Sequence, residues 1–182
     1  LNITALQQAF STIIERHESL RTVFLKGHDD EPKQQISAAE PIAVPLLDLS
    51  DNPKLLPDEI ARHAGFAFDL ALDSLLQIKL LKLGSDQHVL LFNLHHIAAD
   101  AWSMTILINE FSALYSAYRQ GESDPLIPLP IQYADYAAWQ RRWLQGEVLA
   151  QQLHYWRQQL ANLPTLHSLP LDKPRPAIQT FN

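Results

Sequence analysis

Apolar residues recur at helical spacing over residues 3–17, where Ala5, Leu6, Ala9, Phe10, Ile13 and Ile14 share one face. The period then shortens, and residues 20–25, with Val23 and Phe24, predict a strand. Residues 27–32 are polar and turn-like. Two short strands are expected at residues 35–37 and 42–49, with Pro41 and Pro45 putting the second at a sheet edge or interrupting it. Residues 58–67 predict a helix. Residues 75–83 and 88–94 are apolar at nearly every position, so both read as strands buried on two faces, joined through Gly84, Ser85 and Asp86. Residues 103–119 predict a helix with Ile106, Leu107, Phe111, Leu114 and Tyr118 on one side. A Pro-rich connection over 121–130 leads to two further helices, 132–144 and 147–161. Residues 163–182 hold Pro164, Pro170, Pro174 and Pro176, which excludes regular structure there. Helices and strands mix without strict alternation, so the expected architecture is an α/β (α+β) sandwich. The irregular exit segment reads as a linker leaving a lobe, with more protein to follow.

Composition narrows the picture. The chain has 182 residues, enough for one domain, and 47% apolar against 19% charged residues suits a buried core. No apolar run reaches the roughly 18 residues of a membrane helix, and no basic-then-apolar leader opens the chain. The first residue is Leu1, not Met, which suggests a piece of a longer polypeptide. Cysteine is absent, which excludes disulfides, thiolate metal sites and a Cys nucleophile and is compatible with a cytoplasmic location. The net charge is −6 with no Lys/Arg block, so nucleic acid is not an expected partner.

Three segments carry candidate chemistry. The first is NLHHIAADAWS, residues 93–103, where a strand runs into His95 and His96 and Asp100 precedes a helix. Successive strand side chains face opposite ways, so only one histidine can enter a given cleft. Imidazole titrates near neutral pH and can accept a proton from an attacking amine or hydroxyl, and a carboxylate nearby can fix its tautomer or hold the loop. Asp100 also fits a helix N-cap, a role compatible with an ion pair. His96 and Asp100 alone are too few ligands for a metal. The second segment is RHESLRTVF, residues 16–24. Its arginines, Arg16 and Arg21, either complement a helix C-terminus or enter the interior to bind Asp100 bidentately. The third is YADYAAW, residues 133–139, whose Tyr133, Tyr136 and Ala137 form a stripe that reads as packing.

Together these segments resemble one family. RHESLRTVF is similar to RHExLRTxF, HHIAADAWS to HHxxxDGWS and YADYAAW to YxDYAxW, the motifs of nonribosomal peptide synthetase condensation domains, in their order and separations. LPLDKPRPAIQTF resembles the segment that follows the third motif, so the resemblance covers residues 1–182. It implies one lobe, the N-terminal one, of the two-lobed chloramphenicol acetyltransferase-like fold, with an active site in a tunnel between lobes. It implies amide formation between aminoacyl or peptidyl thioesters delivered on phosphopantetheine arms by donor and acceptor carrier domains, beside an adenylation domain, with no cofactor bound to the chain. On that resemblance His96 is the catalytic histidine, acting as base or positioning the amine. Asp100 is a structural aspartate paired with Arg21, or else Arg16, and His95 shapes the loop. Ala101, Trp102 and Ser103 form the reaction-centre loop, with Ala101 where the family has glycine. The donor pattern resembles the L-accepting kind. The family's earliest motif and the C-terminal lobe are absent, so the fragment alone is expected to bind carriers weakly and catalyse nothing. Two other readings compete: a stand-alone acyltransferase acting on a small alcohol or amine, and a docking-only condensation domain.

Overall fold

The computed structural model describes residues 1–28, 30–166, 169–174 and 176–178. The chain divides into two compact units, Leu1–Ala137 and Ala138–Asn182.

The first unit begins with α1 (Ile3–Arg16), capped where Asn2 Oδ1 accepts the Ala5 amide at 3.1 Å. The six residues expected on its apolar face are its six buried residues. Residues 18–21 then form a 3-10 turn rather than a strand, and this turn drives Leu20 into the core. Strand β1 (Thr22–Lys26) follows two residues later than expected and pairs antiparallel with β2 (Pro32–Ile36), Thr22 opposite Ile36 and Phe24 opposite Gln34.

The second sheet has the order β3 (Leu46–Asp48), β4 (Leu76–Lys82), β5 (His88–Leu94). Pro41 and Pro45 cut the expected strand at 42–49 down to three residues, although the Pro45 carbonyl still accepts the Leu80 amide at 2.9 Å. β3 and β4 run parallel, and the crossover that this requires contains α2 (Leu56–Ala64). The expectation that β4 and β5 are both buried on two faces holds in part for β4 and fails for β5. β4 is central and buries Leu76, Ile78 and Leu80 in the core and Leu81 on its other face, while Gln77 and Lys79 stay half-buried. β5 pairs only with β4, so as an edge strand every one of its residues is half-buried.

α3 (Ala101–Gln120) crosses α1, with the Phe10 and Phe111 rings 4.6 Å apart. Its buried stripe is Leu107, Leu114 and Ala117; Ile106, expected on that face, is 41% exposed. Gly121 closes the helix at φ 76°, and the Glu122 amide reaches the Ala117 carbonyl at 3.0 Å. The core lies between α1, α3 and the three-stranded sheet.

α4 (Tyr133–Trp143) starts in the first unit and ends in the second, which also holds α5 (Gly146–Gln159). α5 buries no residue, and Trp139 and Trp143 stack at 5.5 Å. Beyond residue 162 the described residues form no helix or strand. No helix among the described residues is long and apolar enough to cross a membrane. The mixed helix-and-sheet class read from the sequence is the class observed.

Candidate active site

The two histidines lie just beyond β5, in a turn rather than at the strand's end. The His95 amide still reaches the Leu75 carbonyl at 3.1 Å, and the Ala98 amide bonds back to the His95 carbonyl at 3.0 Å. His95 is locked within this turn. Its Nδ1 accepts the Ile97 amide at 3.0 Å, and its ring meets Phe68 edge-on at 5.5 Å. Because a backbone N–H can only donate, Nδ1 is the unprotonated nitrogen and the His95 proton sits on Nε2. His96, one residue on, is exposed and hydrogen-bonds to no other described residue. With Ser19, Ile97, Ala98, Ala99, Asp100, Ser103 and Tyr133 it lines an open cavity of about 220 Å³. The turn, not strand alternation, therefore separates the two rings.

Asp100 is the N-cap of α3. Its Oδ1 accepts the Ser103 amide at 2.9 Å and the Ser103 hydroxyl at 2.7 Å. These two donors, the amide first, hold its carboxyl below the usual carboxylate range. The expected pair with an arginine does not form. Arg21 leaves the end of the 3-10 turn toward the Ser37 carbonyl, with Glu18 at 3.5 Å, and lines another cavity with Ile14, Val23 and Ile42. Arg16 binds Glu110, Nε to Oε1 at 3.0 Å. The helix N-terminus supplies Asp100 with donors of its own, so no cation is needed there. Ala101, Trp102 and Ser103 likewise form the first turn of α3 instead of a loop. Ala101 has no positive φ, so a methyl is accommodated where the family has glycine, and Trp102 is 79% exposed.

One network that sequence reading missed lies beside two residues of the cavity lining. Glu110 on α3 takes Arg16 and also His17, whose Nε2 donates to Oε2 at 2.6 Å. Gln132 donates to the Arg16 carbonyl at 2.9 Å and accepts the Glu18 amide at 3.2 Å, while its own amide donates to Asp135 Oδ2 at 2.8 Å. Ser19 and Tyr133, which line the cavity with His96, are neighbours in sequence of these tied residues. The available signal was Glu110 itself, the one carboxylate within α3 and one residue before Phe111. Tyr133, read as packing, is 60% exposed and lines the cavity instead. Among the described residues no three His, Cys, Asp or Glu side chains are placed to share a metal ion.

The arrangement offers an exposed imidazole beside an open cavity, on a turn that leads into a capped helix. Such a group can receive a proton from, or orient, a nucleophile held beside it.

A family model described as Condensation domain matches residues 1–182. One of the linear gramicidin synthase proteins of Brevibacillus parabrevis is 48% identical over 186 residues, which cover 100% of this chain and 4% of that protein. The X-domain from teicoplanin biosynthesis superposes with TM-score 0.86 at 34% identity, covering 98% of this chain and 40% of that one. The same domain in complex with OxyB gives 0.87 at 35%, covering 98% and 39%. The chain thus spans only a small fraction of the curated relative and about two fifths of the solved domains.

Proposed function

The chain belongs to the condensation domain family, and from that premise we propose that it is the N-terminal lobe of a domain that joins carrier-bound amino acids in nonribosomal peptide synthesis. In this reading the acceptor amine attacks the donor thioester carbonyl. A C–N bond forms and the C–S bond breaks. The amine proton is passed on, and the released phosphopantetheine thiolate takes up a proton. His96 takes the amine proton, or holds the amine and steadies the tetrahedral intermediate. His95 keeps the turn in shape, and Asp100 caps the helix that follows. The partners are two carrier domains, an adenylation domain in the same polypeptide and the second lobe, all in the cytoplasm, and the lobe alone is inactive. The carrying observation is His96, exposed beside the cavity and free of any hydrogen bond to a described residue.

The test is single-turnover condensation by the complete domain with loaded donor and acceptor carriers. His96→Ala is expected to lower the rate by about 10²-fold or more, the range of a positioned proton-transfer group. Unchanged turnover would reduce His96 to a structural residue. A docking-only reading is favoured by one observation: a domain 35% identical to this chain was solved in complex with OxyB. Under that reading the wild-type domain would bind its partners and condense nothing.

A further inference from the structure

A second cavity, of about 160 Å³, adjoins the one at His96 and shares Ser19, Ile97 and Tyr133 with it. We propose that it is a side-chain subsite, taking the uncharged side chain of one of the two amino acids being joined; this rests on the condensation reading above.

One wall is a face of the β1–β2 hairpin. Thr22 and Ile36 form one cross-strand pair and Phe24 and Gln34 another, so all four present alternate positions to the same side. Ile97, from the turn that carries His96, and Ala134, from the start of α4, close the space. A substrate with its reacting carbon beside His96 therefore has an adjoining recess one residue away on the same turn. The volume is smaller than the roughly 300 Å³ at which pockets begin to enclose whole ligands, so it suits one side chain. Two of the polar residues around it are already engaged. The Thr22 hydroxyl donates to the Glu18 carbonyl at 2.7 Å, and Glu18, the one charged residue among the described lining, has Arg21 at 3.5 Å. The lining otherwise mixes the polar side chains of Ser19, Gln34 and Tyr133 with apolar surface, of which Ile36 and Ile97 keep 38% and 43% exposure that a bound side chain would cover.

Two variants of the complete domain test this. Ala134→Leu fills the cavity with a residue that a helix tolerates, and Ile36→Ala widens it. Donors bearing Gly, Ala, Leu or Phe are run against one acceptor, then acceptors bearing the same four against one donor. In one series Ala134→Leu is expected to lower kcat/KM for Phe relative to Gly by about tenfold or more, and Ile36→Ala to move that ratio the other way. The series that responds identifies which amino acid the cavity reads. A uniform loss across both series would assign the space to the shared pantetheine arm and overturn the proposal, as would no change. If the wild-type domain condenses no pair, the condensation reading fails by itself. The subsite is then tested by calorimetry with non-hydrolysable aminoacyl-pantetheine amides. Affinity that depends on the side chain and loses that dependence in Ala134→Leu sustains it, and affinity indifferent to the side chain ends it.

Discussion

At the scale of single residues, the site separates three roles that one motif compresses. His95 is tethered by the Ile97 amide, His96 hydrogen-bonds to no other described residue, and Asp100 is spent on Ser103. In the complete domain, His95→Ala is expected to lower turnover less than His96→Ala, since it disturbs a turn rather than removing the reacting group; the opposite order in single-turnover rates would exchange their roles. Asp100→Ala should lower the urea midpoint of the chain, and Asp100→Asn, which still caps, should lower it less. Because the native carboxyl titrates below its ordinary value, the stability it adds is complete above the ordinary carboxylate range near pH 4 and is lost as pH falls through the depressed native value. The midpoint gap between wild type and Asp100→Asn should therefore close on acidification, as urea melts across pH would record.

At the scale of elements, α1 and α3 hold the sheet by apolar packing, and α2 is pinned by charge. Phe10 is almost fully buried against Phe111, and Phe10→Ala is expected to cost about 3–5 kcal/mol in denaturant unfolding. On α2, Glu59 is buried and bonded to Lys79 of β4 at 2.8 Å and to Arg62, while Asn93 of β5 donates to the His63 carbonyl at 3.1 Å. Lys79 draws the Glu59 carboxyl below its ordinary range. Burial, followed by the Lys79 charge, lowers the His63 imidazole, against an opposing bond to the Gln77 backbone. For His63 the unfolded chain takes up a proton that the native state resists, so stability falls as pH drops below about 6.5 and stops falling below the native value. Protection factors of α2 amides, which correct for the intrinsic pH dependence of exchange, should fall in that window, and His63→Gln should remove the fall without touching α1. Protection factors of α2 that stay flat from pH 7 to pH 5 would count against this account.

At the scale of the whole chain, the second unit carries its aromatic residues outward. Trp139, Trp143, Tyr155 and Trp156 are all about half exposed, and α5 buries nothing. A surface of this kind favours association. The 182-residue chain is expected to form dimers or larger species as concentration rises, and Trp139→Ser with Trp156→Ser to shift it toward monomer. Light scattering that reports a monomer at every concentration would sink the expectation.

The sequence by itself determined what is local. Spacing marked the buried face of α1, the bounds of β5, and the cap of α3 at Asp100, because periodicity and end chemistry act within a few residues. Three motifs in order were enough to place the chain in its family. What depends on contacts far apart in sequence was settled only by the tertiary structure. The strand expected from residue 20 gave way to a turn because Leu20 had a core to enter. β5 proved half-buried because a strand's burial depends on its neighbours in the sheet. Asp100 found Ser103 three residues away, and Arg21 found Ser37 and Glu18. The network joining Glu110 to His17 and Gln132 spans more than a hundred residues, a distance over which no periodicity can speak.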